Sequence, residues 1–318
     1  MKAALVTAYG HNPQYADAPE PVATEEEIVI DVLAAALAPR VRSQAAGSHY
    51  TSTGALPLIP GVDGVGALPD GRQVYFLLPP DTTHGSMAQR VAMDPRRSVV
   101  LPEGADPVAV AATMNPAMAS WVALRQRAHW RPGGSVLVLG ATGSAGRAAV
   151  QVAHHLGAAE IVAVGRNATR MSDLTEFGVR RCIELDDDRS AVAAALAEAG
   201  ARVDVVLDFL WGEPTSLALE AVVPHRADDA QPLTWVQIGS VAGPRSPIPA
   251  AALRATNLHL VGSGQGAVTQ DTYREEIGAL AHEVVAGTIV TPSRAVALRD
   301  VSQAWEDAAA SPRLVLVP

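Results

Sequence analysis

The stretch Gly140-Ala141-Thr142-Gly143-Ser144-Ala145-Gly146 stands directly behind the apolar run Ser135–Leu139 (SVLVL) and ahead of a helical pattern over Arg147–Leu156 that Gly157 ends. A strand with no polar alternation is covered on both faces. Glycines at such a turn permit a tight reversal, close backbone approach to a pyrophosphate and close helix–strand packing. The helix behind them offers free N–H groups and a partial positive charge. In this strand–turn–helix setting the loop predicts a dinucleotide site; the competing reading is an ordinary tight turn between strand and helix.

The pattern around the loop agrees. Ile161–Val164, Val203–Leu207, Leu233–Ile238 and Leu258–Val261 read as further strands. Between them fall helices over Thr169–Phe177, stopped by Gly178, and over Asp186–Ala199, with acidic residues at its N-terminal end. Strands alternating with helices predict βαβ units and a parallel sheet. Ahead of about Met118 the chain is rich in proline and glycine, with short strand-like runs at Ala3–Val6, Ile28–Ala34, Arg72–Leu77 and Val99–Leu101. That region predicts a compact, mainly β lobe. The tail, about 270–318, offers two helical stretches and a last strand, Leu314–Val317, expected to pack back on the first lobe.

The second strand of the dinucleotide region decides which cofactor fits. An NAD site places Asp or Glu about 20 residues after the loop to hold the ribose 2′-hydroxyl. Here the strand ends Val164-Gly165-Arg166-Asn167, with no carboxylate. Arg166, with Arg170, suits a 2′-phosphate through a charge-assisted fork. The alternative is two solvated surface arginines. The sequence thus favours NADPH over NADH.

The 318 residues suggest two domains, and 48% hydrophobic with 18% charged residues is the balance of a globular chain. A net charge of −9 argues against a nucleic-acid partner. Cys182 is the one cysteine, which excludes an intrachain disulfide and a zinc site of several thiolates. Cys182 itself reads as a small buried hydrophobe. The start, MKAALVTAYG, is too short and too soon polar for a signal peptide. No uninterrupted apolar run reaches the roughly 18 residues of a membrane span. The expectation is a cytoplasmic protein with no membrane partner.

Several stretches together carry a family likeness: MKAALVTAYG (1–10), PGVDGVG (60–66), AATMNPAMASWVALR (111–125), VLVLGATGSAGRAAVQVA (136–153), VDVVLDFLWG (203–212), VQIGS (236–240), LVGSG (260–264) and RLVLVP (313–318). The chain resembles, over essentially its whole length, the medium-chain dehydrogenase/reductase superfamily and most of all its zinc-independent quinone oxidoreductase branch. The resemblance implies a Rossmann-type doubly wound parallel sheet over 118–264. It also implies a mainly β, GroES-like catalytic domain formed by 1–117 with 265–318. It places cofactor contacts at Thr142, Gly143, Ser144, Ala145 and Gly146, at Arg166, Asn167 and Arg170, at Phe209 and Leu210, and at Gly239, Ser240, Ser263 and Gly264. It implies a homodimer joined through the edge strand Leu258–Val261.

The resemblance also marks what is missing. Where zinc-dependent relatives carry a Cys, a Gly-His-Glu and a third ligand, this chain has Ala38 or a neighbour, Gly61-Val62-Asp63 and the region of Asn115. No metal is expected. The branch's usual first-lobe Asn-Pro is replaced by Ala38-Pro39-Arg40-Val41, and Arg40 and Arg42 read as solvated loop charges.

The resemblance implies an NADPH-dependent reductase of a small apolar quinone or α,β-unsaturated carbonyl. Two alternatives stand beside it: an enoyl reductase of a secondary-metabolite pathway, and a non-catalytic NADPH-binding sensor. On the acceptor side Tyr50, after Gly47-Ser48-His49, offers a phenol donor, or is a plain surface aromatic. Asn115, ahead of Pro116, could orient the acceptor or the nicotinamide amide, or form an Asx turn into a helix. His84 reads as an exposed loop residue, Trp211 as core, and Asp208 as a structural hydrogen-bonding group.

Overall fold

The structure is a computed structural model that describes residues 1–264, 266–307 and 312–318. The chain divides into two compact units, Met1–Asn115 with Gln270–Pro318, and Pro116–Thr269. The expected boundary after 264 falls on Gln265, which lies outside the described residues.

The second unit is a six-stranded parallel sheet. Its order is Val179–Glu184, Glu160–Gly165, Ser135–Leu139, Val205–Asp208, Leu233–Gln237, Leu258–Gly262. Two halves therefore run outward from the adjacent pair Ser135–Leu139 and Val205–Asp208, the doubly wound arrangement with its switch point there. Leu137, Leu139, Val162, Val164, Val206 and Trp235 form one buried face with Val192 and Leu196 of the helix Arg189–Gly200 and Leu219 of the helix Gly212–Val222. The alternate residues Val136, Val138, Ile161 and Ala163 are equally buried, and the helix Ser144–His155 packs on the same two strands. Both faces are thus covered, which is why these strands tolerate no polar alternation.

The first unit is mainly β. A seven-stranded sheet runs Ser293–Ala297, Arg313–Val317, Ile28–Ala36, Asp63–Ala67, Gln73–Leu77, Ser98–Val100, with Arg90–Met93 also paired to Ile28–Ala36. The tail strand Arg313–Val317 pairs antiparallel with Ile28–Ala36, so the tail does return to the first lobe. One core gathers Ile30, Val32, Val74, Phe76, Leu78, Val91 and Met93. A second gathers Leu58, Ile59, Met87, Trp305, Leu314 and Leu316.

Several expectations are corrected. The helix expected over Thr169–Phe177 is two pieces, Ala168–Ser172 and the 3₁₀ turn Thr175–Phe177, and a strand follows at Val179–Glu184. That strand lies at the sheet edge, so Arg180, Cys182 and Glu184 face outward and mask its period. Cys182 is accordingly exposed, not a buried hydrophobe. Strands at Gln14–Asp17, Asp63–Ala67, Arg90–Met93 and Ser293–Ala297 also appear where none is expected.

The largest correction is a helix over Pro107–Val122, continued by a π-helical turn to Arg127, where Pro116 suggests a boundary. Proline within a helix strips the carbonyl four residues back of its donor. That carbonyl belongs to Ala112, and Arg313 Nη1 donates to it at 3.2 Å. The helix Pro107–Arg127 is long and apolar enough to cross a membrane, contrary to expectation, yet 72% of its most apolar window is buried within the protein.

Candidate functional site

In the second unit the parallel order brings the C-terminal ends of all strands to one edge of the sheet, and the expected cofactor residues follow those ends. Gly140 has φ +93°, a conformation that glycine adopts without strain. Its N–H and that of Ala141 both donate to Val164 O at 2.9 Å, tying the loop to the next strand. A Cβ at Gly146 would lie 2.1 Å from Gly140 O, so the helix reaches the loop only because position 146 has no side chain. Gly143 precedes the helix Ser144–His155 with extended backbone, and no side chain caps it. The first-turn N–H groups are thereby left for a ligand anion. Gly143 and Ser144 are exposed, and Thr142 and Ala145 half-buried.

Arg166 and Arg170 lie exposed behind Glu160–Gly165, and among the described residues neither guanidinium has a hydrogen-bond or ion-pair partner. Asn167 is already engaged: its side chain caps the next helix, accepting from Arg170 N at 2.9 Å. Phe209 is buried, and its N–H donates to Leu139 O at 3.1 Å. Leu210 is half-buried and Ser240 exposed. Gly239 N–H donates to Asp208 O at 3.1 Å. Ser263 N–H donates to Gln237 O at 2.9 Å, and Gly264 follows it in the open. Arg127, which sequence reading passed over, holds this last loop: Nε donates to Gly262 O at 2.9 Å and Nη1 to Ala267 O at 3.2 Å.

Asp208 is fully buried and structural, as expected. Oδ1 accepts from Leu210 N and Trp211 N, each at 2.9 Å; Oδ2 accepts from Thr215 Oγ1 at 2.7 Å and Trp235 Nε1 at 3.0 Å. Trp211 is half-buried rather than core and has φ +54°, a strained conformation for a bulky residue that the Asp208 bond helps to hold.

In the first unit the expected acceptor residues lie apart. Tyr50 is 87% exposed and its ring contact is with His49, at 4.4 Å between centroids. His84 is exposed, as expected. Asn115 forms no Asx turn. It sits inside the helix Pro107–Val122, where its side chain helps to hold the Asp63 carboxyl down.

Asp63 is the centre of a polar cluster that sequence reading missed. It is 3% exposed, and Tyr75 Oη donates to its Oδ2 at 2.6 Å. Burial pushes the Asp63 carboxyl above the usual carboxylate range, while the Tyr75 bond and the Arg313 and Arg40 charges hold it down. Burial and the neighbouring carboxylate together push the Tyr75 phenol well up, so it remains a donor. Arg40 is not the solvated loop charge expected: its Nε and Nη2 are buried. Arg42 is also committed, donating to Trp305 O at 2.8 Å with its guanidinium over that ring. The one available signal was the break in the Asn-Pro pattern at 38–41.

Tyr75→Phe tests this cluster. Asp63 already titrates above its unfolded value, so its ionised form is penalised in the folded state. Loss of the phenol raises the carboxyl further. The expected cost is about 1–3 kcal/mol at pH values above the folded pKa, fading as the pH falls through it and the carboxyl protonates. Urea unfolding at neutral and acid pH measures it; an equal loss at both would show that the phenol does not act on the ionised carboxylate.

Among the described residues no group of three or more His, Cys, Asp or Glu is placed to hold a metal ion. A family model described as zinc-binding dehydrogenase matches residues 144–282. A probable NADPH-dependent quinone reductase of Emericella nidulans is 29% identical, with all of both chains covered. The crystal structure of a quinone oxidoreductase from Thermus thermophilus, also solved in complex with NADPH, is 26% identical, covers all of both chains and gives a TM-score of 0.80. A polyketide synthase of Streptomyces halstedii is 42% identical over 108 residues, which are 33% of this chain and 2% of that protein.

Proposed function

We propose a reaction for this chain from the family it belongs to, the medium-chain dehydrogenase/reductase superfamily in its quinone oxidoreductase-like branch: reduction of a quinone or α,β-unsaturated carbonyl by NADPH, without zinc. The chain is an NADPH-dependent oxidoreductase. One observation carries the cofactor assignment on this chain's own residues. Behind the glycine loop the second strand ends in two unengaged arginines where an NAD site would have a carboxylate. The loop fits a pyrophosphate, since Gly146 leaves open the close turn and the helix N-terminus is uncapped.

Bound NADPH supplies the hydride. The chain's residues bind, orient and donate. Thr142, Gly143, Ser144, Ala145 and Gly146 cradle the pyrophosphate. Arg166 and Arg170 hold the 2′-phosphate. Asn167 shapes that turn through its cap. Phe209, Leu210, Gly239, Ser240, Ser263 and Gly264 line the rest of the cofactor through backbone turns. In the first unit Tyr50 offers a free phenol to an acceptor oxygen, and Asn115 offers a side-chain amide. Zinc independence is supported by the side chains at the family's ligand positions, Ala38 and Gly61-Val62-Asp63, which include no Cys or His. Two copies pair through the edge strand Leu258–Gly262, whose free backbone groups would otherwise invite aggregation.

The similarity to part of a polyketide synthase favours a second reading, enoyl reduction on a secondary-metabolite substrate. Loss of the reduced-nicotinamide absorbance, followed with quinones, enones and enoyl thioesters, separates the two. Tight NADPH binding with no turnover of any acceptor would leave a sensor protein instead.

Arg166→Ser tests the cofactor assignment. A charge-assisted pair to phosphate contributes roughly 1.5–3 kcal/mol. The variant should raise KM for NADPH about 10–100-fold and leave KM for NADH nearly unchanged. Equal changes for both cofactors would remove Arg166 from the 2′-phosphate.

A further inference from the structure

Gly262, Gly264 and Gly266 fall close together behind the edge strand Leu258–Gly262, at the cofactor edge of the parallel sheet. A Cβ at any of the three would meet nothing within 4 Å, so packing at these positions does not fix the backbone. Glycine also gives up more conformational freedom on ordering than any other residue. Two short backbone bonds help: Ser263 N–H donates to Gln237 O at 2.9 Å, and Ala267 N–H donates to Gly264 O at 2.9 Å. Among the described residues the strand before the segment pairs on one side only, with Leu233–Gln237. What spans the segment is Arg127. Its Nε donates to Gly262 O at 2.9 Å and its Nη1 to Ala267 O at 3.2 Å, so one guanidinium grips both ends. Arg127, the strand and the segment all belong to the unit Pro116–Thr269.

The local backbone aims Arg127 at this segment. The helix Pro107–Val122 passes into a π-helical turn over Ala123–Arg127, and Ala128 N–H donates at 2.8 Å to Ala123 O, five residues back. A π turn takes in one extra residue, and one residue is roughly 100° of α-helical rotation, so Arg127 faces a direction that an unbroken α-helix would not give it. The place of the segment in the sheet decides which part of the cofactor it meets. Arg166 and Arg170 follow the strand Glu160–Gly165, on one side of the strand that carries the glycine loop. Leu258–Gly262 lies three strands away on the other side, roughly 14 Å at the usual strand spacing. A dinucleotide with its pyrophosphate on the glycine loop and its 2′-phosphate at the arginines therefore extends its nicotinamide half toward Ser263 and Gly264.

We propose that Arg127 is a positioning residue for the nicotinamide half of NADPH: by fixing both ends of the glycine-rich segment it sets the backbone of Ser263 and Gly264 against that half, without touching the cofactor itself. This rests on the cofactor assignment above. Gly264 N–H has no hydrogen-bond partner among the described residues, and a carboxamide oxygen is an acceptor such a donor takes. The grip suits the task because a charged donor bonds a carbonyl more strongly than a neutral one, and the planar guanidinium holds two carbonyls in one geometry. A role confined to stability would weaken every part of the cofactor alike. A positioning role weakens only the half beyond the pyrophosphate.

The test compares two ligands on the full-length wild type, Arg127→Met and Arg127→Lys. One is NADPH; the other is 2′-phospho-ADP-ribose, which keeps the adenosine, the phosphates and both riboses but has no nicotinamide. Calorimetric titration gives both dissociation constants, and circular dichroism checks the fold. Arg127→Met keeps an apolar stem and removes every donor, so it should weaken NADPH about 10-fold or more. It should leave 2′-phospho-ADP-ribose within about twofold, because that ligand stops short of the segment. The fluorescence that the dihydronicotinamide gains on binding should fall in the same variant. Arg127→Lys keeps the charge but loses the fork, and should weaken NADPH selectively by about threefold. If Arg127→Met does not fold, that selective loss in Arg127→Lys decides the matter. Equal losses on both ligands, or no loss on either, would overturn the proposal while leaving the cofactor assignment in place. A wild type that binds neither ligand would overturn the cofactor assignment, and the role of Arg127 with it.

Discussion

Asp208→Ala should destabilise the second unit by about 3–5 kcal/mol, a drop of roughly 10 °C or more in its unfolding midpoint. The carboxylate is completely buried and accepts from four donors, two backbone and two side-chain. Truncation leaves Thr215 Oγ1 and Trp235 Nε1 unpartnered in the interior, and each such group carries its full desolvation cost. It also frees Leu210 N–H and Trp211 N–H, which set the turn behind Val205–Asp208 and hold Trp211 at positive φ. Asp208→Asn keeps the volume and one acceptor oxygen but turns an N–H₂ toward donors, so it should lose only part as much. Thermal and urea unfolding measure both variants. If Asp208→Ala unfolds within about 1 kcal/mol of the wild type, the carboxylate network is not what fixes this turn.

How far the sequence was legible depended on how local each cause is. The glycine loop could be read because its constraint is backbone geometry: a positive φ at Gly140 and a missing Cβ at Gly146 need only the loop, the next strand and the helix. The strands buried on both faces could be read for the same kind of reason, since each carries its environment in its own composition. The strand Val179–Glu184 could not, because an edge strand is half solvated and its arginines interrupt the apolar period. Asp63–Ala67, two glycines among five residues, has too little side chain to declare itself a strand. The helix through Pro116 was hidden because the group that rescues Ala112 O is Arg313, far along the chain. Arg40 was misread for the same cause: a lone arginine in a loop pattern looks solvated until Asp63 and Tyr273 come into its field from distant segments. The dinucleotide half of the site is therefore mostly sequence-local, and the acceptor half is mostly tertiary.

Gly146→Val carries the largest expected effect on function: NADPH binding should fall by more than about 100-fold, with turnover lost in step. A Cβ at this position would fall 2.1 Å from Gly140 O, 2.7 Å from Ala141 Cα and 2.8 Å from Gly140 C. All three are backbone atoms, so no rotamer change relieves the clash. Either the helix Ser144–His155 shifts away from the strand or the loop opens. Each outcome moves the uncapped N–H groups that are to meet the pyrophosphate, and oriented donors lose their effect on small displacements. Gly143→Ala is the companion variant. A Cβ there would lie 3.6 Å from Gly140 O, ordinary contact, and the backbone has negative φ. It should fold normally and affect binding only by crowding the phosphate. Calorimetric titration with NADPH, alongside circular dichroism, separates the two mechanisms. A folded Gly146→Val that binds NADPH as well as the wild type would show that the cofactor does not lie on this loop, and the whole assignment of the second unit would fall with it.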